Sequence, residues 1–157
     1  ALLAAALASP PYAHPCQHPM RILGIDPGEK RIGIALSDPT GTIASPLKIL
    51  EHVSLTVNAA VIAQLAAEHQ AEKIVVGQSL NEDGTPTREG KRAARLAEAL
   101  RKQCNLPVIL WDESFSTQEA QAARLALNVR RRKRGGHLDD LAATVILQSY
   151  LDAHSQP

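Results

Sequence analysis

Two spacings of hydrophobic positions alternate along this chain and divide it into strands and helices. Short apolar runs between turn residues are typical of strands, whereas apolar residues that recur every three or four positions are typical of helices. Three strand-like runs come first, after which helices and strands alternate. The predicted strands are residues 21–26, 31–37, 42–50, 73–77 and 106–111, and the predicted helices are residues 55–69, residues 86–102, a helix that ends near residue 127, and residues 138–151.

This order, βββαβαβα followed by a final helix, predicts an α/β fold in which helices cover a mixed five-stranded sheet. The first three strands are expected to form an antiparallel meander, with Pro27–Lys30 as its first hairpin turn. Two helix starts carry capping signals. Thr85 and Pro86 suit an N-cap and a first helical position, and Ser116 with Glu119 forms a capping box.

Residues 1–19 differ in composition from the rest of the chain. An apolar run, Leu2–Ala8, precedes four prolines, and the only methionine is Met20. A secretory signal peptide would have such an apolar run, but no basic segment precedes it here. We therefore expect an N-terminal extension outside the fold, one domain over residues 20–152, and a short tail at residues 153–157.

The amino-acid composition excludes several classes of function. The 157 residues are 45% hydrophobic and 21% charged, as in ordinary globular domains, but only 3% aromatic. A platform that stacks unpaired bases is therefore not expected. Cys16 and Cys104 are too few for a zinc knuckle or a disulfide framework and fit a reducing compartment such as the cytoplasm. No run approaches the roughly 18 apolar residues of a membrane span, so we expect no membrane partner.

Acidic residues stand where predicted elements begin or end. Each alone has an ordinary explanation, because aspartate is common in turns and acids interact favourably with the dipole at a helix N-terminus. The residues are Asp26 at the end of the first strand, Asp83 in an Asp-Gly turn, Asp112 and Glu113 at the end of the last strand, and Asp139 and Asp140 at the start of the final helix.

Together, these carboxylates predict a metal site. Carboxylates at the ends of neighbouring strands can meet one from a helix start at a single edge of an α/β sheet. Mg²⁺ and Mn²⁺ prefer oxygen ligands, and two ions roughly 3.5–4 Å apart can clamp the attacking and leaving oxygens of a phosphodiester. We expect Asp26 to bridge the ions and Glu113 and Asp139 to complete the sites. Asp112 and Asp140 are alternative ligands.

Basic residues are unevenly distributed. Residues 88–134 hold 12 basic and 5 acidic residues, whereas the rest of the chain holds 5 basic and 11 acidic ones, so the net charge of +1 conceals two opposed regions. Five consecutive cations at 130–134 gain most by binding phosphates, whereas those of 88–102 could equally form a solvated helix face. The candidate nucleic-acid-binding residues are Lys30, Arg31, Arg88, Arg92, Arg130, Arg131, Arg132, Lys133 and Arg134.

Four segments resemble, in order, the motifs of the YqgF/RuvX family. The resemblance covers about residues 20–152, and four ordered motifs are far more specific than any one of them. The similar segments are residues 25–35 (IDPGEKRIGIA), residues 75–77 with 81–85 (VVG and NEDGT), residues 112–117 (DESFST), and residues 137–143 (HLDDLAA) continuing into 146–150.

The resemblance implies an RNase H-like fold and a metal-dependent nuclease. The family is described both as Holliday junction resolvases and as nucleases that trim the 5′ end of precursor 16S ribosomal RNA. Its catalytic acids correspond to Asp26, Glu113 and Asp139. Ser114 stands where the family usually has arginine, which would hold a phosphate bidentately. Gln78-Ser79 stands where it usually has Leu-Pro, so substrate contacts and loop geometry differ while every carboxylate is kept.

These observations predict an endonuclease that uses Mg²⁺ or Mn²⁺ and cleaves a four-way DNA junction or precursor rRNA. Symmetric cleavage of a junction would favour a homodimer, although the sequence indicates no dimer face. Two alternatives remain open. One is a phosphate- or nucleotide-binding protein related to the actin-like fold, whose phosphate loop resembles residues 26–33, and ATP binding without nuclease activity would favour it. The other is a non-catalytic nucleic-acid-binding module with structural acids, which would bind without metal and leave its substrate uncut.

Overall fold

The computed structural model describes residues 20–113 and 139–154, and for residues 139 and 140 it describes the backbone alone. The predicted capping box at Ser116, the helix that ends near residue 127 and the basic segment 130–134 lie outside the described residues. The described elements follow the predicted order. They are β1 (Arg21–Pro27), β2 (Arg31–Ser37), β3 (Ala44–Glu51), α1 (Leu55–Glu68), β4 (Ala71–Gln78), α2 (Arg88–Gln103), β5 (Val108–Asp112) and α3 (Asp139–His154).

The five strands form one mixed sheet, as predicted, and their order in it is β3-β2-β1-β4-β5. The pairs β1–β2 and β2–β3 are antiparallel, and the pairs β1–β4 and β4–β5 are parallel. Parallel neighbours need crossover connections, and α1 and α2 are the helices that precede β4 and β5. The carboxyl ends of β1, β4 and β5 therefore lie at the same edge of the sheet.

Helices cover both faces of this sheet. On one face, α1 and α2 pack over Leu23, Ile25 and Val76, all of which are fully buried. On the other face, α3 packs over Ile22 and Val75. Successive residues of a strand point to opposite faces, so β1 and β4 supply apolar side chains to two separate cores. The result is a three-layer arrangement with the sheet in the middle.

Helix α3 lies close to the centre of the sheet because β1 has a glycine at the point of contact. A Cβ atom on Gly24 would lie 2.6 Å from the Cβ of Leu147 and 3.3 Å from the carbonyl oxygen of Ala143. Protein interiors are packed densely enough that such an overlap forces backbone movement. The absent side chain of Gly24 therefore sets the distance between α3 and the sheet.

The N-cap of α2 differs from the sequence prediction, which was wrong at this point. Thr87 caps the helix, and its Oγ1 accepts a hydrogen bond from the N–H of Gly90 at 3.1 Å. The hydroxyl of Thr85 instead donates to Asp83 Oδ1 at 2.6 Å within the preceding turn. Because Thr85 is already used by this turn, the helix begins only at Arg88.

Other boundaries shift by one to three residues, as is usual for element ends. β5 is Val108–Asp112 rather than residues 106–111, and α3 continues to His154 rather than ending at residue 151. Among the helices of the described ranges, none combines the length and apolar character that a membrane crossing requires.

Candidate functional site

A small cavity of about 80 Å³ opens on the α3 face, where β1 and β5 end. Two of the predicted acids, Asp26 and Glu113, line it together, although 86 positions separate them in the sequence. The complete lining is Asp26, Trp111, Glu113, Ala142, Val145, Ile146 and Ser149. We call this space the acid cavity.

Strand alternation brings Asp26 to the acid cavity. Ile22 packs under α3, so Gly24 and Asp26, two and four residues further along β1, lie on the same face of the sheet. Asp26 follows Ile25, which pairs with Val76 of the neighbouring strand β4. The Asp-Pro-Gly sequence that indicated a turn thus also places a carboxylate at the sheet edge.

Glu113 reaches the same cavity across β4. Its Oε1 atom lies 3.0 Å from the point that a Cβ atom would occupy on Gly77, and Gly77 pairs with Trp111 of β5. Any side chain on Gly77 would therefore meet both the carboxylate and the Cδ1 atom of Ile146, 2.5 Å from that point. Gly77 had no predicted role, and its place in the second motif was the only signal in the sequence.

Asp112 lies on the opposite side of the sheet from Glu113. Ile109 and Trp111 pack on the α3 side, whereas Leu110 packs in the core under α1 and α2. By alternation Asp112 follows Leu110, and the residues that line the acid cavity do not include it. Of the two adjacent acids, the structure brings Glu113 together with Asp26.

The backbone of α3 begins beside this cavity at Asp139. Ala142 and Ile146 line the cavity and follow position 139 by three and seven residues, a spacing that puts helix positions on one face. The side chains of Asp139 and Asp140 lie outside the described part of the chain. Their roles as ligands therefore stay predictions.

Trp111 connects the end of β5 to α3. Its Nε1 donates a hydrogen bond to Ser149 Oγ at 3.2 Å, and its ring packs edge-on against Tyr150 with 5.3 Å between centroids. Lys73 Nζ in turn donates to the hydroxyl of Tyr150 at 3.1 Å. These contacts hold the strand that leads into Glu113 against the helix that begins at Asp139. Nothing in the sequence pattern indicated the Trp111–Ser149 pair.

Asp83 is a turn residue, as its Asp-Gly sequence predicted. Its Oδ1 accepts hydrogen bonds from the hydroxyl of Thr85 at 2.6 Å and from the Thr85 N–H at 3.0 Å. These two bonds, the hydroxyl first, lower the pKa of Asp83 below its usual value of 3.8. Gly84 completes the turn with a φ of 85°, which favours glycine.

The described basic candidates divide between two places. Lys30 and Arg31 are exposed at the β1–β2 turn, next to the carboxyl end of β1 where the acid cavity lies. Arg88 is exposed at the first position of α2, and Arg92 is half-buried one turn later. Residues 130–134 lie outside the described ranges, so their binding role stays a prediction.

The donor set of the acid cavity fits a hard divalent cation. Asp26 and Glu113 contribute carboxylates, the helical wall is mainly apolar, and neither cysteine nor histidine is among the described lining residues. Carboxylate oxygens suit Mg²⁺ and Mn²⁺, whereas structural zinc sites use cysteine and histidine. Within residues 20–113 and the described side chains of α3, no three potential metal ligands form a group. A complete site therefore needs a further ligand, for which Asp139 is the candidate.

Comparison with protein families decides the assignment. The family model described as "RuvX: Holliday junction resolvase" matches residues 20–153. The chain belongs to the RuvX family. Membership confirms the family resemblance of the four motifs and identifies the RuvX chain as a nuclease.

Close relatives cover nearly the whole RuvX chain. A protein of Syntrophus aciditrophicus is 45% identical over 137 residues, which are 87% of this chain and 91% of the relative. A protein of Syntrophomonas wolfei is 41% identical over 136 residues, which are 87% of this chain and 96% of the relative. Both carry the name "Putative pre-16S rRNA nuclease".

Solved structures confirm the predicted RNase H-like fold of the RuvX chain. RuvC of T. thermophilus, in complex with a Holliday junction substrate, superposes with a TM-score of 0.59 at 16% identity, over 85% of this chain and 94% of RuvC. The Fowlpox virus resolvase, in complex with Holliday junction DNA, superposes with a TM-score of 0.51 at 14% identity, over 85% of this chain and 98% of the resolvase. At these identities the similarity concerns the fold alone.

Proposed function

We propose that this RuvX protein is a metal-dependent endonuclease that hydrolyses phosphodiester bonds of structured nucleic acid. The proposal rests on the positions of Asp26 and Glu113, which line the same small cavity. The two carboxylates come from β1 and β5, which β4 separates in the sheet. Two like charges are costly to hold together without a cation between them, so a shared cavity supports metal binding.

Asp26, Glu113 and Asp139 would hold Mg²⁺ or Mn²⁺, with Asp26 as the central ligand. When bound, two such ions activate water for attack and neutralise charge on the reacting phosphate and the leaving oxygen. Asp140 and Asp112 are secondary candidates. Position 139 supports the assignment of Asp139, since it precedes the cavity-lining Ala142 by one helical turn.

The size of the acid cavity indicates how the substrate approaches. A volume of about 80 Å³ is far below the roughly 300 Å³ or more of small-molecule sites, so it has room for ordered water but not for a nucleotide. The nucleic-acid backbone therefore passes over the sheet edge, and only the reacting phosphate approaches Asp26 and Glu113. Lys30 and Arg31 at the same edge are placed to contact neighbouring phosphates.

We propose precursor 16S ribosomal RNA as the first substrate to test. Relatives that are 45% and 41% identical are named for that activity. The family description makes the four-way DNA junction the second substrate. The low number of cysteines, two in 157 residues, agrees with the cytoplasm as the compartment. Paired cuts in a junction would require two copies of the chain, and sedimentation with junction DNA would reveal such a homodimer.

The deciding experiment compares the two substrates side by side, with Mg²⁺, Mn²⁺ or EDTA, for the wild type and Asp26→Asn. The wild type should cleave at least one substrate only when metal is present. Asp26→Asn should abolish cleavage and retain the circular dichroism spectrum. Glu72→Gln, which changes an exposed acid at the start of β4, is the matched control and should cleave normally. Cleavage by Asp26→Asn at the wild-type rate, or cleavage in EDTA, would contradict the proposal.

A further inference from the structure

A row of cations follows α2 along its length. Arg88, Arg95 and Lys102 are exposed and are spaced by seven residues, so they lie on one helix face, with Lys91 and Arg92 flanking that face near its start. Each seven-residue step corresponds to about 10.5 Å of helix, and the whole row to about 21 Å. We call these five residues the α2 stripe.

The one acid on this face is neutralised locally. Glu98 lies between Arg95 and Lys102 and forms an ion pair with Arg101, at 2.6 Å between Oε1 and Nη1. The other guanidinium nitrogen of Arg101 donates to the carbonyl oxygen of Val108 at 2.7 Å. Arg101 thus anchors α2 to β5 and offsets Glu98. The charges of the α2 stripe are left to act as a continuous positive surface.

A groove of about 440 Å³ runs beside the stripe, between α1 and α2. The charged residues of its lining are Arg95, Glu98 and Lys102, and Thr56 and Gln103 add uncharged hydrogen-bonding groups. Leu55, Ala94 and Ala99 supply the apolar remainder. Cations beside hydroxyl and amide groups suit phosphate oxygens, and the apolar residues suit sugar carbons.

The stripe and the acid cavity lie on opposite faces of the sheet. Helix α2 covers the face of Ile25 and Val76, whereas the cavity opens on the α3 face. The first residue of α2, Arg88, follows the carboxyl end of β4 and so lies near the edge where Asp26 and Glu113 meet. The stripe extends from this edge along the far face.

We propose that the α2 stripe and its groove bind the sugar-phosphate backbone of a second segment of the nucleic acid whose other segment reaches the acid cavity. This inference rests on the proposed function and adds to it. A nucleic acid that contacts both faces must bend round the strand edge or branch there, as a junction or a folded RNA does. About 21 Å of stripe corresponds to roughly six base-pair steps of 3.4 Å.

The repeated charge favours this occupant over an acidic protein segment. A docked helix is anchored by large apolar residues in a hydrophobic groove, whereas the apolar lining here is limited to Leu55, Ala94 and Ala99, beside the charged Arg95, Glu98 and Lys102. Residues 88–103 carry six basic and two acidic residues, which complements a regular polyanion. Each phosphate contact also releases counterions, which gives the proposal a quantitative signature.

The test measures equilibrium binding to a four-way DNA junction and to a stem-loop RNA in EDTA, so that no cleavage occurs, over a series of salt concentrations. The variants are Arg95→Ala, Lys102→Ala and the double variant. Lys48→Ala, which removes an exposed lysine from β3, is the matched control. Thermal melts verify that each variant is folded.

We expect each stripe substitution to lower the slope of log affinity against log salt by about 0.7–0.9, and the double variant by about twice that. Lys48→Ala should leave the slope unchanged. Lys30→Ala, at the cavity edge, and Lys102→Ala should give additive losses of binding free energy when they are combined. The titration should show one protein chain bound per nucleic-acid binding site. An unchanged slope in the double variant, a wild type that binds neither nucleic acid, or a second independent binding site for nucleic acid would overturn the inference.

Cleavage kinetics separate this inference from the proposed function. The double variant should raise KM for the cleaved substrate and keep kcat within about twofold, because the stripe contacts phosphates away from the reacting one. A fall in kcat with unchanged KM would count against the stripe as a binding surface. If the wild type cleaves nothing, the proposed function fails, while the salt dependence still decides whether the stripe binds nucleic acid.

Discussion

Glu113 Oε1 lies 3.0 Å from the position that a Cβ atom would take on Gly77. Gly77 belongs to β4, the strand that separates Asp26 on β1 from Glu113 at the end of β5. A glycine at this point leaves the space that the carboxylate of Glu113 uses to reach the acid cavity. Gly77, which has no side chain, therefore helps to position the two acids.

Gly77→Ala should therefore weaken metal binding as well as stability. The new methyl group would displace the Glu113 carboxylate and the Cδ1 atom of Ile146, 2.5 Å away. Overpacking of this kind typically costs about 1–3 kcal/mol of the free energy of unfolding. Urea unfolding measures that loss, and calorimetric titration with Mn²⁺ measures the metal affinity, which should fall at least about tenfold, as is typical when a residue that orients a metal ligand is changed.

Gly24→Ala is the matched control for this substitution. Its methyl group would meet Leu147 at 2.6 Å, on the same face of the sheet, but none of its close contacts is a carboxylate. It should lose a similar amount of stability, and its affinity for Mn²⁺ should fall clearly less than that of Gly77→Ala, because its contacts are on α3 and do not include Glu113. Equal losses of Mn²⁺ affinity in both variants would show that general distortion, rather than the position of Glu113, explains the effect.

The two adjacent acids at the end of β5 should differ in their effect on cleavage. Glu113→Gln removes a charge from the acid cavity, whereas Asp112→Asn removes one from the side of Leu110. We expect Glu113→Gln to abolish cleavage and Asp112→Asn to reduce it by a much smaller factor, because Glu113 lines the acid cavity and Asp112 does not. Single-turnover rates at saturating Mg²⁺ measure both. The reverse order would exchange the two assignments.

The hydrogen bond between Trp111 and Ser149 should contribute measurably to holding β5 against α3. Its length is 3.2 Å, and such bonds typically contribute about 0.5–1.5 kcal/mol. A double-mutant cycle with Trp111→Phe and Ser149→Ala, followed by urea unfolding, isolates this coupling free energy. A coupling near zero would mean that edge-on packing of Trp111 on Tyr150 holds the two elements without help from the bond.

Asp38 should give the protein an acid-dependent part of its stability. The Ile43 N–H, the Thr40 hydroxyl and the Thr42 N–H all donate to this carboxylate and lower its pKa from 3.8 to about 2. Because the folded pKa lies below the unfolded one, the contribution is complete above about pH 4 and is lost as the pH falls towards 2.

Asp38→Asn tests this expectation, because an amide keeps an acceptor oxygen and lacks the charge. The variant should be less stable than the wild type at pH 6, and the difference should shrink as the pH falls from about 4 to about 2. Thermal melts across this range measure it. A stability difference that stays constant with pH would indicate that the shape of Asp38, rather than its ionisation, stabilises the turn.

Local sequence was sufficient to predict the number, type and order of the described elements. Periodicity in the apolar positions depends on the geometry of each element alone, so it located β1 and β2 within a residue and α1 within a residue of their observed limits. The acids at the ends of those elements were visible for the same reason. Four motifs in order then indicated the family.

Tertiary structure decided which of these residues meet. Thr87 rather than Thr85 caps α2 because the Asp83 turn already uses Thr85. Glu113 rather than Asp112 shares a cavity with Asp26 because strand register and a two-residue alternation assign neighbouring positions to opposite faces. Register arises from pairing between segments that are distant in sequence, here β4 with β1 and with β5. It therefore cannot be predicted from a local sequence pattern.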